Sequence, residues 1–298
     1  MLIEAQKGKA LDKLPKKEAA SFDTDIFAVS TKYDGNQIFI VKRNNKVTWF
    51  TSDNKQFDIP GLGTELLHNK SDFILVAEFM YNCDGKLGDR KKSAILTTLR
   101  TCWNKSIANP ITFKENLCNI KVFDCLPYKN GDLCSFVQYD LPYTNRLEVA
   151  SLLHYPEQIS KITYKTFTGT QAKKYSKNLV NLGWEGVMCI DPKSKYQAGK
   201  RVNYSIKLKY RKTADLLCID VAAGDVGSKY ENSIGALVLQ DSTGRVVSVG
   251  SGLDDNDRRP ELSDYYIGKI IEIEYEQIMD TYIQPVYVQV RLDKVISD

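Results

Sequence analysis

The sequence predicts an α+β domain of antiparallel sheets with flanking helices over residues 1–211, followed by a small antiparallel β-barrel over residues 212–298. Three observations point there. Segments before Arg211 alternate between strand-like and helix-like patterns, those after it are almost wholly strand-like, and turns such as Ser242-Thr243-Gly244 break the later part into short runs. A chain of 298 residues with 43% apolar content can also bury a sizeable core.

In the first part, β-branched and aromatic content predicts strands at Ile26–Ser30, Gln37–Lys42, Val47–Thr51, Phe73–Met80, Ile120–Cys125, Ile162–Phe167, Gly186–Ile190 and Ser205–Tyr210. Helices are expected at Lys91–Trp103, Arg146–His154 and Thr170–Leu182, the last stopped by Gly183. Beyond Arg211, strands are expected at Leu216–Val221, Gly235–Gln240, Val246–Gly250, Ile270–Tyr275 and Val286–Val290. Tyr210–Thr213 is the candidate hinge between the two domains.

No apolar run approaches the roughly 20 residues that span a bilayer, and the start MLIEAQKGKALDKLPKK lacks the apolar stretch of a secretory signal. A soluble, cytoplasmic protein with no membrane partner is expected. The seven cysteines, Cys83, Cys102, Cys118, Cys125, Cys134, Cys189 and Cys218, are widely spaced without a CxxC pair, which disfavours structural zinc and fits reduced, buried thiols. His68 and His154, each after a Leu-Leu pair, are read as buried in the same way. A net charge of +4 permits a polyanionic partner without demanding one. More telling is the local run Lys195, Lys200, Arg201, Lys207, Lys209, Arg211, Lys212, although a solvated face is the ordinary meaning of such a run.

Chemistry concentrates at a few places. Lys32-Tyr33-Asp34-Gly35 falls between two predicted strands, on a connection whose glycine lets the backbone approach a ligand. A lysine there can attack an α-phosphate once its amine is neutral. Val76-Ala77-Glu78-Phe79 places a carboxylate at the end of an apolar strand, and Phe123-Asp124 ends another. Glu185-Gly186-Val187-Met188 opens a strand, and the two-residue period puts Lys207 and Lys209 on one face of the next. Taken singly, each has a plain structural reading as a turn, a strand end or a solvated face.

Their order resembles the covalent nucleotidyltransferases: DNA ligases, RNA ligases and messenger RNA capping enzymes. The resemblance implies a nucleotidyltransferase (adenylation) domain followed by an OB-fold barrel. It implies that Lys32 is the nucleophile that carries AMP, that Glu78 holds the ribose hydroxyls, that Phe123 stacks on the base and that Ser30 contacts the adenine edge. Glu185 would support a divalent metal, Mg²⁺ or Mn²⁺ in its place, and Lys207 and Lys209 would contact the α-phosphate. Cations and a hard metal are what a transferring phosphoryl group requires. Ser248-Val249-Gly250-Ser251-Gly252-Leu253, Asp257-Arg258-Arg259 and Tyr266-Ile267-Gly268-Lys269 look like the barrel of small viral and bacterial ATP-dependent DNA ligases. The terminal Val290-Arg291-Leu292-Asp293-Lys294 resembles the last family motif, which implies that Arg291 and Lys294 orient the pyrophosphate of ATP.

The chain departs from the pattern where nick contacts are expected. Gln37 stands in place of an arginine, a second arginine is absent from Thr51-Ser52-Asp53-Asn54-Lys55, and Ile283 stands where another precedes Pro285. Gln37, Lys55 and Arg201 are therefore the candidate DNA contacts, in an interaction expected to weaken steeply with salt. The expected activity is that of an ATP-dependent DNA ligase acting as a monomer on nicked duplex DNA, and the small size fits a phage or viral source. An RNA ligase or a capping guanylyltransferase is the alternative enzyme, and a non-catalytic OB-fold nucleic-acid binder is the alternative class. NAD dependence is disfavoured by the missing cysteine cluster and the short length.

Overall fold

Alternation along two central strands sets the architecture of the first part of the chain. In Asn36–Arg43, Ile38 and Ile40 enter one buried cluster while Phe39 and Val41 enter another. Phe73–Tyr81 does the same, with Phe73, Leu75, Ala77 and Phe79 on one side and Ile74 and Val76 on the other. Strands covered on both faces read as continuous apolar runs, which is how these segments look in the sequence. The computed structural model describes residues 4–59, 61–89, 95–110, 112–129, 136–137 and 139–297. They fall into two compact units, Met1–Lys209 and Tyr210–Asp298.

In unit 1 the strands are β1 (Lys7–Ala10), β2 (Ile26–Thr31), β3 (Asn36–Arg43), β4 (Lys46–Thr51), β5 (Gln56–Phe57) and β6 (Phe73–Tyr81). They continue as β7 (Cys118–Lys129), β8 (Phe136–Val137), β9 (Ile159–Lys161), β10 (Lys165–Thr168), β11 (Val187–Ile190) and β12 (Arg201–Leu208). The helices are α1 (Lys16–Ser21), α2 (Leu62–Leu66), α3 (Ile95–Asn104), α4 (Tyr143–Ser151) and α5 (Gly169–Asn181). One sheet runs β1-β12-β11-β2-β10 and the other β5-β4-β3-β6-β7-β8, with β9 added beside β7.

Most pairings are antiparallel as expected, but β1 lies parallel to β12 and β9 parallel to β7. Such pairs need long crossovers, which the chain between each pair provides. The expected strand Ile162–Phe167 is split, because Ile162 to Tyr164 leave the ladder between β9 and β10. Phe123 and Asp124 lie inside β7 rather than at its end, because the strand runs on to Lys129 and pairs with β6 as far as Pro127. The predicted helix start at Lys91–Ala94 lies outside the described residues, and α3 runs from Ile95. α5 is closed at its start by Thr168 and Gln171, which form a reciprocal capping box. Beyond its end Gly183 takes φ +90°.

Cys102, Cys118, Cys125, Cys189 and Cys218 are buried and free, Cys83 is half-buried, and Cys134 lies outside the described residues. The two histidines are the exception: both are exposed, their rings 5.9 Å apart. His68 follows the end of the short helix α2 and His154 follows α4, so the Leu-Leu pairs before them belong to helix ends.

Unit 2 contains β13 (Lys212–Ala223), β14 (Ile234–Gln240), β15 (Val246–Val249), α6 (Ser263–Tyr266), β16 (Ile270–Tyr275), β17 (Gln277–Ile278), β18 (Tyr282–Ile283) and β19 (Val286–Val290). Five of them form the sheet β15-β14-β13-β16-β19, around a core of Leu216, Leu237, Leu239, Val249, Ile271 and Ile273. No ladder joins β15 to β19 among the described residues. Tyr287 NH of β19 instead donates to Ser251 O, 2.8 Å away. An incompletely closed five-stranded arrangement is the usual form of an OB fold. Lys212 and Thr213 already belong to β13, which leaves only Tyr210 and Arg211 of the expected hinge outside regular structure. Among the described residues, no helix is long and apolar enough to cross a membrane.

Candidate active site

The alternation that fills the core also builds the site. On β6, the face carrying Ile74 and Val76 reaches Glu78 next, and there the packed core gives way to a cavity. The other sheet offers matching positions: Phe27 and Val29 of β2 pack inward with Val187 and Cys189 of β11 and Ile206 and Leu208 of β12. The opposite face of the same strands turns Ser30, Met188, Ile190, Ser205 and Lys207 to the cavity. Lys32 stands at the end of β2, on the connection to β3, where its backbone NH donates to Gly186 O at 2.9 Å.

That connection is pinned from several sides. Asp34 NH donates to Gly85 O, and Gly88 NH donates to the Asp34 carboxylate at 2.7 Å. Gly35 NH donates to Glu78 Oε1 at 3.0 Å. A Cβ at Gly35 would come within 2.6 Å of Phe79 O and 2.9 Å of Glu78 Cγ, so the turn can pass over β6 only as glycine. Gly186 has φ +136°, and a Cβ there would lie 2.0 Å from Leu208 O. This contact holds the start of β11 against the end of β12, and thus Glu185 beside Lys209.

Four charged side chains meet around Lys32. Its Nζ pairs with Glu185 Oε2, and Lys209 Nζ pairs with Glu185 Oε1. The Glu185 carboxylate is buried between the two amines, with 6% of its side-chain surface exposed against 20% for Lys32 and 36% for Lys209. Lys209 has left β12, which ends at Leu208, yet it still meets Glu185 while Lys207 lines the cavity. Burial pushes the Lys207 amine below the usual lysine range, and the positive charges of Lys32, Lys209 and Arg201 push it the same way. Burial also raises the Glu78 carboxyl, to about 7, against the opposing pull of Lys32 and of the Gly35 amide. Three lysines and two carboxylates in one recess are far more charge than packing requires, and perturbed groups lining a cavity mark a functional site.

Phe123 owes its position to an irregularity. Val76 pairs with Asp124 and Ala77 with Val122, so Phe123 is the extra residue of a β-bulge in β7. The bulge turns Phe123 toward the face shared by Val76, where it packs on that cluster and lines the cavity. Behind it, Arg146 of α4 is fully buried and grips Asp124 with two bonds, Nε to Oδ1 at 2.7 Å and Nη2 to Oδ2 at 2.9 Å. Its Nη1 donates to Leu141 O and Ser194 O, so the buried charge is both paired and hydrogen-bonded. Tyr143 OH donates to Phe123 O at 3.1 Å and completes the support.

The structure therefore gathers Ser30, Lys32, Gln37, Glu78, Phe123 and Lys207 around one cavity, with Glu185 and Lys209 at Lys32. Arg201 is not among them. It lines a wider groove, of about 970 Å³, with Asp25, Asp191, Lys193, Lys200 and Tyr204. Lys55 is exposed on the β4–β5 turn and paired with Asp53 at 2.7 Å. Arg291 and Lys294 belong to unit 2, where both contact Asp215. Sequence reasoning missed Gln6, Lys7 and Gly8, which enter the cavity from β1 and its approach. It also missed the Asp124–Arg146 pair, although an acid within an apolar strand needs a buried cation somewhere. No group of three or more His, Cys, Asp or Glu side chains among the described residues is placed to hold a metal.

Residues 6–209 match the family model of the ATP-dependent DNA ligase domain, and residues 227–291 match that of a DNA ligase OB-like domain. A DNA ligase of Methanococcus maripaludis strain C6 is 25% identical over 95% of this chain and 56% of its own length. DNA ligase 2 of Haloquadratum walsbyi is 27% identical over 92% of this chain and 48% of its own. The chain thus spans about half the length of these curated relatives. Among solved structures, one titled Pmar-Lig_Pre. superposes with a TM-score of 0.70 at 19% identity, over 98% of this chain and 69% of that one. A structure from work on DNA binding by Lig E DNA ligases does so with a TM-score of 0.65 at 16% identity, over 98% of this chain and the whole of that one. These two likenesses are of fold. Because the first family model spans more than two thirds of the sequence and takes in the whole recess around Lys32, the chain belongs to the ATP-dependent DNA ligase family.

Proposed function

We propose that the protein seals 5′-phosphate/3′-hydroxyl nicks in duplex DNA, through AMP carried on Lys32 and then passed to the 5′-phosphate. The observation that carries this reading is the recess itself: a lysine on a pinned turn, flanked by two further lysines and a buried glutamate, beside an aromatic-lined cavity. Lys32 attacks the α-phosphate of ATP and expels pyrophosphate. The 5′-phosphate at the nick then takes AMP from the phosphoramidate, and the 3′-hydroxyl displaces AMP as the phosphodiester forms. Lys207 and Lys209 face the non-bridging oxygens on which charge develops. Phe123 stacks on the base, Ser30 meets the adenine edge and Glu78 holds the ribose hydroxyls.

Glu185 is the residue that would hold Mg²⁺, or Mn²⁺. A single carboxylate suits that cation, which keeps several waters and takes its remaining ligands from nucleotide phosphates, whereas a cage made only of protein would need more donors than are gathered here. Bound there, the cation supplies positive charge at the phosphates. Glu185 would then have to relax its grip on Lys32, whose amine must shed a proton before it attacks. Gln37 lines the cavity beside Lys32 and is the residue best placed to meet the nick. Lys55 and Arg201 are proposed to touch the DNA backbone farther out, and the protein acts as a monomer.

A gel assay of nicked duplex DNA with Mg²⁺ and ATP, GTP or NAD in separate reactions tests the reading. Sealing with ATP alone is the expected result. Sealing with GTP or NAD alone, or of RNA nicks in preference to DNA nicks, would refute it.

A further inference from the structure

We propose that Asp215 is a positioning residue for the first chemical step, fixing Arg291 and Lys294 in the orientation in which they meet the phosphates of ATP. The inference rests on the assignment of Arg291 and Lys294 to the pyrophosphate.

Its basis is the geometry of one ion cluster in unit 2. Asp215 lies near the start of β13, directly opposite Glu272 of β16 in the ladder, and is 4% exposed. A carboxylate that deep in a small β domain serves little purpose unless cations are brought to it. Two are, both from the end of the chain: Arg291 Nη1 lies 3.2 Å from Oδ1 and 3.0 Å from Oδ2, and Lys294 Nζ pairs with Oδ2. The backbone prepares the approach, since Arg291 NH donates to Ile270 O at 2.8 Å and continues the β16–β19 pairing by one residue.

Arg291 is held on two edges of unequal character. Nη1 faces the buried Asp215, whereas Nε and Nη2 make a side-on pair with Asp293 at 2.9 and 2.7 Å. The Asp293 side chain is 67% exposed against 6% for Asp215. An exposed bidentate carboxylate on a guanidinium occupies the same hydrogen-bond fork that a phosphate takes. Asp293 is thus the partner that phosphate exchanges with, and Asp215 the anchor that stays and keeps the guanidinium aimed during the exchange. The same anchor holds Lys294, so one carboxylate sets both cations.

The test measures lysyl-AMP formation with ATP and Mg²⁺, and separately the sealing of nicks that already bear a 5′-adenylate, for the intact chain and for Asp215→Asn, Arg291→Ala and their combination. Asp215→Asn is expected to slow lysyl-AMP formation at least tenfold and to change sealing of adenylated nicks less than twofold. In combination with Arg291→Ala it should add less than it costs alone, keeping only the part that acts through Lys294, because residues that act through each other are not additive. Normal lysyl-AMP formation by Asp215→Asn, equal loss in both assays, or a fully additive double variant would overturn the inference. Selective loss in Arg291→Ala with none in Asp215→Asn would sink the inference alone, whereas equal loss in Arg291→Ala on both substrates would sink the assignment on which it rests. Should Asp215→Asn lack a cooperative melting transition, Asp215→Glu keeps the charge and displaces it by one methylene. Step-selective slowing of Asp215→Glu supports the inference, and equal effects on the two steps overturn it.

Discussion

Lys32→Ala gives no protein–AMP adduct when incubated with ATP and Mg²⁺, while the intact chain gains the mass of one AMP. The expectation rests on placement. Lys32 is the lysine on the Tyr33-Asp34-Gly35 turn, and that turn is fixed by the bonds of Lys32, Asp34 and Gly35 to Gly186, Gly85, Gly88 and Glu78. Lys207 and Lys209 also carry amines, but Lys207 comes from within β12 and Lys209 from just past its end, not from the pinned turn. Since a covalent step needs the nucleophile within near-attack distance and in line with the leaving group, neither can substitute. Intact-mass measurement decides it, and an undiminished AMP shift in folded Lys32→Ala would assign the nucleophile elsewhere.

Glu185→Ala and Lys209→Ala each lose at least tenfold in sealing while keeping the fold, a rise of about 1.4 kcal/mol or more in the barrier. Glu185 touches both Lys32 and Lys209, so its removal deprives the recess of the carboxylate that would hold the cation and leaves two amines without their shared partner. Lys209 is partly exposed, which makes a structural cost small and directs its loss to the chemistry. Circular dichroism confirms the fold, and single-turnover sealing reads the rate. Near-normal rates in either folded variant would return that residue to an ordinary ion pair.

Much of this site was legible because its residues keep the alternation of the strands that carry them. Glu78 continues the face of Ile74 and Val76, Ser30 that of Ala28, and Lys207 that of Ser205, so the residues that the family resemblance marks fall on faces that simple alternation turns to the cavity. The parts that escaped depend on departures from that rule. Phe123 is named through the family resemblance, but the bulge in β7 that turns it to the cavity is announced by no periodicity. Gln6 and Lys7 arrive through a parallel pairing of β1 with β12, far away in sequence, and nothing local marks it. The Asp124–Arg146 pair crosses from a strand to a helix 22 residues on, and only the rule that buried charge needs a partner hints at it. His68 and His154 read as buried because each follows two leucines, yet both stand just past the end of a helix, where the chain turns back to solvent.

The most direct test of the central claim follows a label from protein to DNA. The protein is charged with ATP labelled in its α-phosphate, freed of nucleotide, and given nicked duplex DNA with Mg²⁺. If Lys32 passes AMP to the 5′-phosphate at the nick, one nick is sealed for each labelled molecule and the label leaves the protein as free AMP. Label that stays on the protein in the presence of nicked DNA, or sealing by protein that never carried it, would contradict the account.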